Sequence, residues 1–154
     1  MRFLRWLVLL AVCSIAACGG MGSKNDPILI DSGSLKKLVG RQWELKTMTV
    51  DGARVIMHPD GRMTLAFNPE GQASGYGTLN AFTARYTFSR DAKLIWPAPG
   101  PVSSRRGGPP ELMEKEQAYL TGIPKTSRAI LAGTALQLQS EDGNTVLTFL
   151  ELGK

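Results

Sequence analysis

Residues 62–76 read Arg-Met-Thr-Leu-Ala-Phe-Asn-Pro-Glu-Gly-Gln-Ala-Ser-Gly-Tyr, from Arg62 to Tyr76. Met63, Leu65 and Phe67 recur at every second position, the period that puts one face of a strand against a core. Asn68-Pro69-Glu70-Gly71 then supplies turn chemistry, with proline fixing one backbone angle and glycine free to adopt a positive one. Gln72 to Tyr76 is expected to return antiparallel.

The same pattern repeats on either side. Upstream, Trp43, Leu45 and Thr47 alternate with Glu44, Lys46 and Met48, and Asp51-Gly52 marks a tight hairpin into Arg54 to Met57. His58-Pro59-Asp60-Gly61 is a further turn. Downstream, Thr83 to Phe88 and Lys93 to Trp96 flank Ser89-Arg90-Asp91-Ala92. The tail gives Ser127 to Leu131, Ala135 to Gln139 and Thr145 to Glu151, joined by Ala132-Gly133 and Asp142-Gly143. Strand and tight turn in succession predict an antiparallel meander.

Two segments interrupt it. Pro97 to Pro110 holds five prolines, three glycines and Arg105-Arg106, and proline removes the donor a strand interior needs. Glu111 to Leu120 follows, with Pro110 at the first helical position, Leu112, Met113, Tyr119 and Leu120 on one side, and Gly122 at the exit. One helix over about 110–121 is expected, which with the meander makes the fold class α+β.

A chain of 154 residues with 43% hydrophobic content accommodates one such domain. Two cysteines and one histidine exclude a disulfide scaffold and a zinc ribbon. The formal charge of +5 includes Arg2 and Arg5, which precede an apolar run from Trp6 to Ala17 broken only by Ser14. That run reads as a secretory leader, too short for a bilayer, which needs about 20 apolar residues. Without it 16 basic residues face 13 acidic ones, and a net +3 is not the signature of a nucleic-acid binder.

Ile15-Ala16-Ala17-Cys18 resembles the bacterial lipobox, in which the cysteine is acylated and becomes the new N-terminus. On this reading residues 1–17 are a lipoprotein signal peptide, Cys13 leaves with it, and Cys18 carries the lipid. Residues 18–34 form a flexible tether of about 20 Å by chain statistics, and residues 35–154 form the domain. Within the tether, Ile28 to Ile30 either docks as an extra strand or continues the linker. Two or three acyl chains on one residue hold a protein at a membrane durably. Gly19, where aspartate signals inner-membrane retention in Gram-negative lipoproteins, directs the expectation to the outer membrane, facing the periplasm.

The domain resembles the META/HslJ-like family. Leu38-Val39-Gly40-Arg41-Gln42-Trp43 looks like the family's opening, and in Gly75-Tyr76-Gly77-Thr78-Leu79-Asn80-Ala81-Phe82-Thr83-Ala84-Arg85-Tyr86 the residues Gly75, Asn80, Phe82 and Tyr86 match its signature. Thr78 stands where the family has a glycine and Leu79 where it has a cysteine, and Ala84 also departs. Ser104-Arg105-Arg106 before Glu111 to Glu116 resembles the second segment, again without its cysteine, Gly107-Gly108 falling at that place. Loss of both cysteines is coherent if the two positions face each other. The resemblance implies an α+β domain with a curved antiparallel sheet or open barrel closed by one helix, frequently on envelope lipoproteins and associated with stress tolerance, motility or secretion, without an established catalytic activity; no cofactor is expected.

No residue set demands catalysis. His58 lies in a turn without companions for a metal, and Ser74 is out of register with a nucleophile elbow. Gly75-Tyr76-Gly77 lacks the third glycine and the helix of a dinucleotide site. Ser103 or Ser104 with Lys115 or Lys125 would form a serine/lysine pair only if the fold brings them together. Glu111, Glu114 and Glu116 read as a solvated helix face, two of them complementing the N-terminal dipole. Met48, Met57 and Met63 read as packing rather than copper ligands. Asn80 is expected to bond its own chain in a left-handed bend. Arg105 and Arg106 are either solubilising charges or a contact for an acidic partner or lipid phosphate.

The expected function is therefore a non-enzymatic envelope lipoprotein whose domain binds a protein or envelope component in stress protection or assembly. The alternatives are a pilot or carrier for a lipid or other apolar ligand, and a serine/lysine hydrolase.

Overall fold

A computed structural model describes residues 26–153; the leader, Cys18 and Gly19 lie outside the described residues. The strands are β1 (Ile28–Leu29), β2 (Gln42–Val50), β3 (Ala53–Val55), β4 (Met63–Phe67), β5 (Gln72–Gly77), β6 (Ala81–Arg85), β7 (Thr87–Phe88), β8 (Leu94–Ile95) and β9 (Val102–Ser103). The helix α1 (Pro110–Gly122) follows, then β10 (Arg128–Ala132), β11 (Ala135–Gln139) and β12 (Val146–Glu151). One antiparallel sheet runs β1-β10-β11-β12-β2-β4-β5-β6-β9, with β3 beside β2, and is curved but not closed. The meander and the helix stand as the alternation and the Pro110 signal predict.

Alternating side chains of β2, β4, β11 and β12 meet on the concave face. Trp43, Leu65, Leu136, Leu138, Leu147 and Phe149 are fully buried there, and Tyr119 of α1 closes over them. Tyr119 packs edge-on against Phe82 at 5.7 Å and near Phe149 at 6.3 Å. Burying each such side chain contributes about 1.5–3 kcal/mol, so this wall carries much of the fold.

Local departures have local causes. In β2 the alternation slips: Thr148 pairs with Thr47 but Phe149 pairs with Leu45, leaving Lys46 as a bulge. The extra residue resets the faces, so Met48 is buried and Thr47 exposed, the reverse of strict alternation from Trp43. Met48 and Met63 are core residues. The expected single strand from Thr83 to Phe88 is two, because Tyr86 turns inward: its amide donates to Gly71 O at 2.9 Å and its hydroxyl to Asn68 O at 2.5 Å. Beyond that point β7 pairs with β8 in a separate hairpin.

That hairpin connects the two ends of the sheet. Leu94 N–H donates to Ser127 O at 2.7 Å, just before β10, and Ser32 N–H donates to Ser89 O at 3.1 Å, just after β1. Phe88 and Trp96 complete an aromatic cluster with Phe67 and Tyr86. The tether also ends earlier than residue 34. Ile28 and Leu29 pair with Leu131 and Ile130, and Ile30 is fully buried. The apolar triplet docks through burial of Ile30, partial burial of Ile28 and backbone pairing to β10, which together offset the entropy of ordering a short segment, while the Leu29 side chain stays exposed.

Candidate functional site

The bend between β5 and β6 carries Thr78, Leu79 and Asn80, and here three elements converge. Gly77 N–H donates to Asn80 O at 2.8 Å across the bend. Thr78, not Asn80, takes the positive backbone angle, with φ of 102°. Asn80 is thus released from the local role expected of it and spends its side chain on distant groups.

The partner is Glu116 of α1, which is buried rather than part of a solvated face. One carboxylate oxygen accepts the amides of Leu79 and Asn80 at 2.9 and 2.8 Å, and the other accepts the Asn80 side-chain amide at 2.5 Å. Asn80 Oδ1 in turn accepts from Ser104 Oγ at 2.9 Å and from the Arg106 amide at 2.5 Å, while Asn80 Nδ2 also donates to Arg106 O at 3.1 Å. One carboxylate and one amide therefore pin bend, helix and proline-rich loop together. Charge-assisted bonds of this kind are about twice as strong as neutral ones.

Close packing surrounds this node. A Cβ on Gly77 would lie 2.9 Å from Glu116 Cγ, and one on Gly75 only 2.0 Å from Thr64 O. Neither position admits a side chain. Leu79 lies against Gly108, where an added Cβ would stand 2.7 Å from Leu79 Cδ1. The two positions at which the family resemblance places cysteines do face each other, and leucine against glycine fills the space. Tyr119 sits beneath, donating to Thr64 O at 3.0 Å, and burial pushes its hydroxyl pKa well above the usual value. Burial, with a smaller contribution from the Glu70 charge, pushes Tyr86 up to about 12.

Between the pinned loop and α1 lies a groove of about 900 Å³. Its helix side is a single stripe at helical spacing, Met113, Glu116, Gln117, Leu120 and Thr121, continued by Pro124 and Lys125. Its loop side runs through Pro101, Val102 and Ser103 to Arg105 and Arg106. Val102, inside the stretch expected to contain no strand, forms the two-residue edge strand β9 with Ser103. Proline is compatible with such an edge position. Val102 and Met113 remain 57% and 47% exposed, an apolar lining left open to solvent. Arg105 and Arg106 make no ion pair among the described residues, whereas Lys125 is paired with Asp51.

The remaining sequence candidates separate. Trp43 is buried, with the Arg41 guanidinium 4.4 Å from its ring centroid and no acceptor for its indole N–H among the described residues. Phe82 and Tyr86 are core residues. His58 accepts the Asp60 amide at 3.2 Å within its turn, and no group of metal-ligating side chains forms among the described residues. No hydrogen bond joins Ser103 or Ser104 to Lys115 or Lys125 among the described residues: Ser104 Oγ is bonded to Asn80 and Lys125 to Asp51, Lys115 does not line the groove, and Ser103 and Lys125 line it without a bond between them. Glu116 and the groove escaped sequence reasoning. A glutamate in a helix among other charged residues carries no mark of burial, and only the glycine at residue 77, where a carboxylate needs room, hinted at it.

A family model of the META domain matches residues 36–152. Two solved structures share the fold. An NMR structure of a protein from Burkholderia xenovorans is 22% identical, covering 79% of this chain and 88% of that one with a TM-score of 0.62. A crystal structure of a DUF4847 family protein from Bacteroides vulgatus is 10% identical, covering 78% of this chain and 98% of that one with a TM-score of 0.55. No curated protein matches. Neither the family model nor these neighbours carries a sign of catalytic activity.

Proposed function

The chain belongs to the META domain family, and from that premise we propose that it is a non-enzymatic lipoprotein of a bacterial envelope whose domain binds a protein or envelope component in the groove between the proline-rich loop and α1. The observation that carries this reading is the pairing of an open apolar lining with two arginines that make no ion pair among the described residues. Surface arginines without local partners on an ordered loop are suited to an external anion. The polar atoms at the base of the groove, by contrast, bond to one another, Glu116 to Asn80 and Asn80 to Ser104 and Arg106.

Lipidation at Cys18 would set the geometry. The tether would run from the outer membrane to Ile28, where the chain enters the sheet, and the domain would face the periplasm at short range. No helix among the described residues is long and apolar enough to cross a membrane, which is compatible with anchoring by lipid. Replacing Cys18 by alanine should move the protein from the membrane fraction to the soluble one without changing its thermal melt. An unacylated Cys18→Ala protein that stays with the membrane would overturn the anchoring.

The groove itself is tested by crosslinking in intact cells. Arg105→Glu with Arg106→Glu should abolish a crosslinked species seen with the native chain. The carrier alternative meets a physical constraint: Trp43, Tyr119 and Phe149 fill the concave face, so an apolar ligand would have to use this same groove.

A further inference from the structure

The outer edge of β9 borders the groove, and the register of its pairing decides which backbone groups point there. In antiparallel pairs, hydrogen-bonded and non-bonded opposite positions alternate. Phe82 lies opposite Ser103 and Thr83 opposite Val102. One step further, Ser104 N–H donates to Ala81 O at 3.2 Å, so that pair is a bonded one. The Phe82–Ser103 pair is therefore non-bonded, and the Ser103 N–H and C=O face away from β6. The other neighbour agrees: Gly77 N–H donates to Asn80 O, which by the β5–β6 register makes Gly75–Phe82 a bonded pair and turns the Phe82 groups toward β5. By the same alternation the Pro101 carbonyl points outward with those of Ser103.

An unpaired strand edge is ordinarily a hazard, blunted by short length, proline or charge. Here Pro99, Pro101 and the positive φ of 54° at Arg105 confine the edge to a few residues. What exceeds simple protection is its setting. The edge is held in place by the Asn80–Glu116 node, shares the groove with Met113 and Leu120 of α1, and ends in two cations that make no ion pair among the described residues. A lipid phosphate would answer the arginines and leave the backbone groups unmet. An extended peptide answers both, since backbone bonds give strand addition its affinity and side-chain pockets its specificity.

We infer that the groove takes a short extended peptide with acidic side chains, which adds to the outer edge of β9 as a further strand, its carboxylates meeting Arg105 and Arg106 and its apolar side chains lying on Met113 and Leu120. The inference rests on the proposed reading of the groove as a binding surface. It narrows the partner to a protein with an exposed, extended acidic-apolar segment.

The test uses the full chain in detergent and a fluorescein-labelled octapeptide of alternating glutamate and valine, followed by anisotropy. Binding should be saturable and should weaken at least tenfold for Arg105→Glu with Arg106→Glu; these side chains are exposed, and an unchanged thermal melt establishes that the variant folds. Two further peptides, N-methylated on all glutamates or on all valines, separate strand addition from charge attraction. Only one of them should lose binding, because only alternate amides of an added strand face β9. Equal binding by both methylated peptides would overturn the inference. So would binding by phosphatidylglycerol vesicles but not by peptide, or concentration-dependent self-association lost in the double variant, and either result would leave the groove reading standing. If the in-cell crosslink survives the double variant, the groove reading itself falls.

Discussion

The wall formed by β2, β4, β11 and β12 and the node formed by Glu116 and Asn80 hold the same domain together by opposite means. The wall is apolar, redundant and built from many fully buried side chains. The node is polar and depends on two side chains that each make several bonds. Loss of one methylene in the wall is shared among neighbours, whereas loss of either side chain in the node leaves buried amides without partners. Rigidity of the sheet and placement of the binding loop are therefore separable properties.

The sharpest way to break the wall is Gly75→Ala. The added Cβ would fall 2.0 Å from Thr64 O and 2.9 Å from Phe82 Cε1, contacts that only separation of β4 from β5 relieves. Overpacking typically costs 1–3 kcal/mol and occasionally more, and a clash with backbone belongs at the upper end. A loss of about 3 kcal/mol or more is expected, read as a lowered denaturant midpoint for the whole domain. A midpoint unchanged within error would mean that the two strands are not in this register.

Glu116→Ala breaks the node instead. It strands the amides of Leu79 and Asn80 and one hydrogen of the Asn80 side chain. Bonds to charged groups contribute about 1.5–3 kcal/mol each, while water reaching an opened site recovers part of that. The expected loss is about 2–3 kcal/mol, concentrated locally. Hydrogen exchange should accelerate over residues 78–80 and 104–106 while amides of β11 and β12 keep their protection. Uniform acceleration across the sheet would show that node and wall form one cooperative unit.

This contrast also marks how far the sequence could be read. Period-two runs such as Met63, Leu65 and Phe67 announce their faces, and Pro110 announces the helix start, because solvent exclusion and proline geometry act locally. The bulge at Lys46 was invisible, since Trp43 to Met48 fits two alternations equally well until the pairing partner is known. Glu116 reads as solvated in the sequence because burial of a carboxylate depends on donors contributed by residues 36 and 37 positions away. Asn80 reads from the sequence as bonding within its own turn, whereas its side-chain partners lie on α1 and the proline-rich loop. Arg105 and Arg106 were paired in the sequence, yet the groove they border requires α1 to lie across from them.

Thr78→Gly reverses the sign of the effect. Thr78 is β-branched at a φ of 102°, a conformation costly to any residue with a Cβ and worse for a branched one. The family resemblance places a glycine at this position. Glycine should relieve about 1–2 kcal/mol of strain, partly offset by its greater freedom in the unfolded chain, for a net gain of about 1 kcal/mol. Among the described residues the one side-chain bond at risk is a long one, from Thr78 Oγ1 to Leu112 O at 3.4 Å. A higher melting temperature checks this, and a lower one would mean that the bend depends on that hydroxyl.

The smallest expected effect separates wall from node by pH. Burial holds the Tyr86 hydroxyl proton to about 12 in the folded domain, against about 10 in an unfolded chain. Between those values the unfolded state releases a proton that the folded state keeps, so stability falls as pH rises. Below 10 the contribution is intact. Tyr119 shifts in the same direction by burial, so the alkaline limit belongs to the aromatic packing around the wall rather than to the node. Tyr86→Phe removes the bond to Asn68 O, at a cost of about 1 kcal/mol near neutrality. It should also make the decline between pH 10 and 12 shallower than in the native chain. Urea midpoints at pH 8 and pH 11 measure both quantities. If native and variant midpoints fell by the same amount over that interval, the Tyr86 proton would not be held by the fold, and the alkaline limit would have to come from elsewhere in the structure.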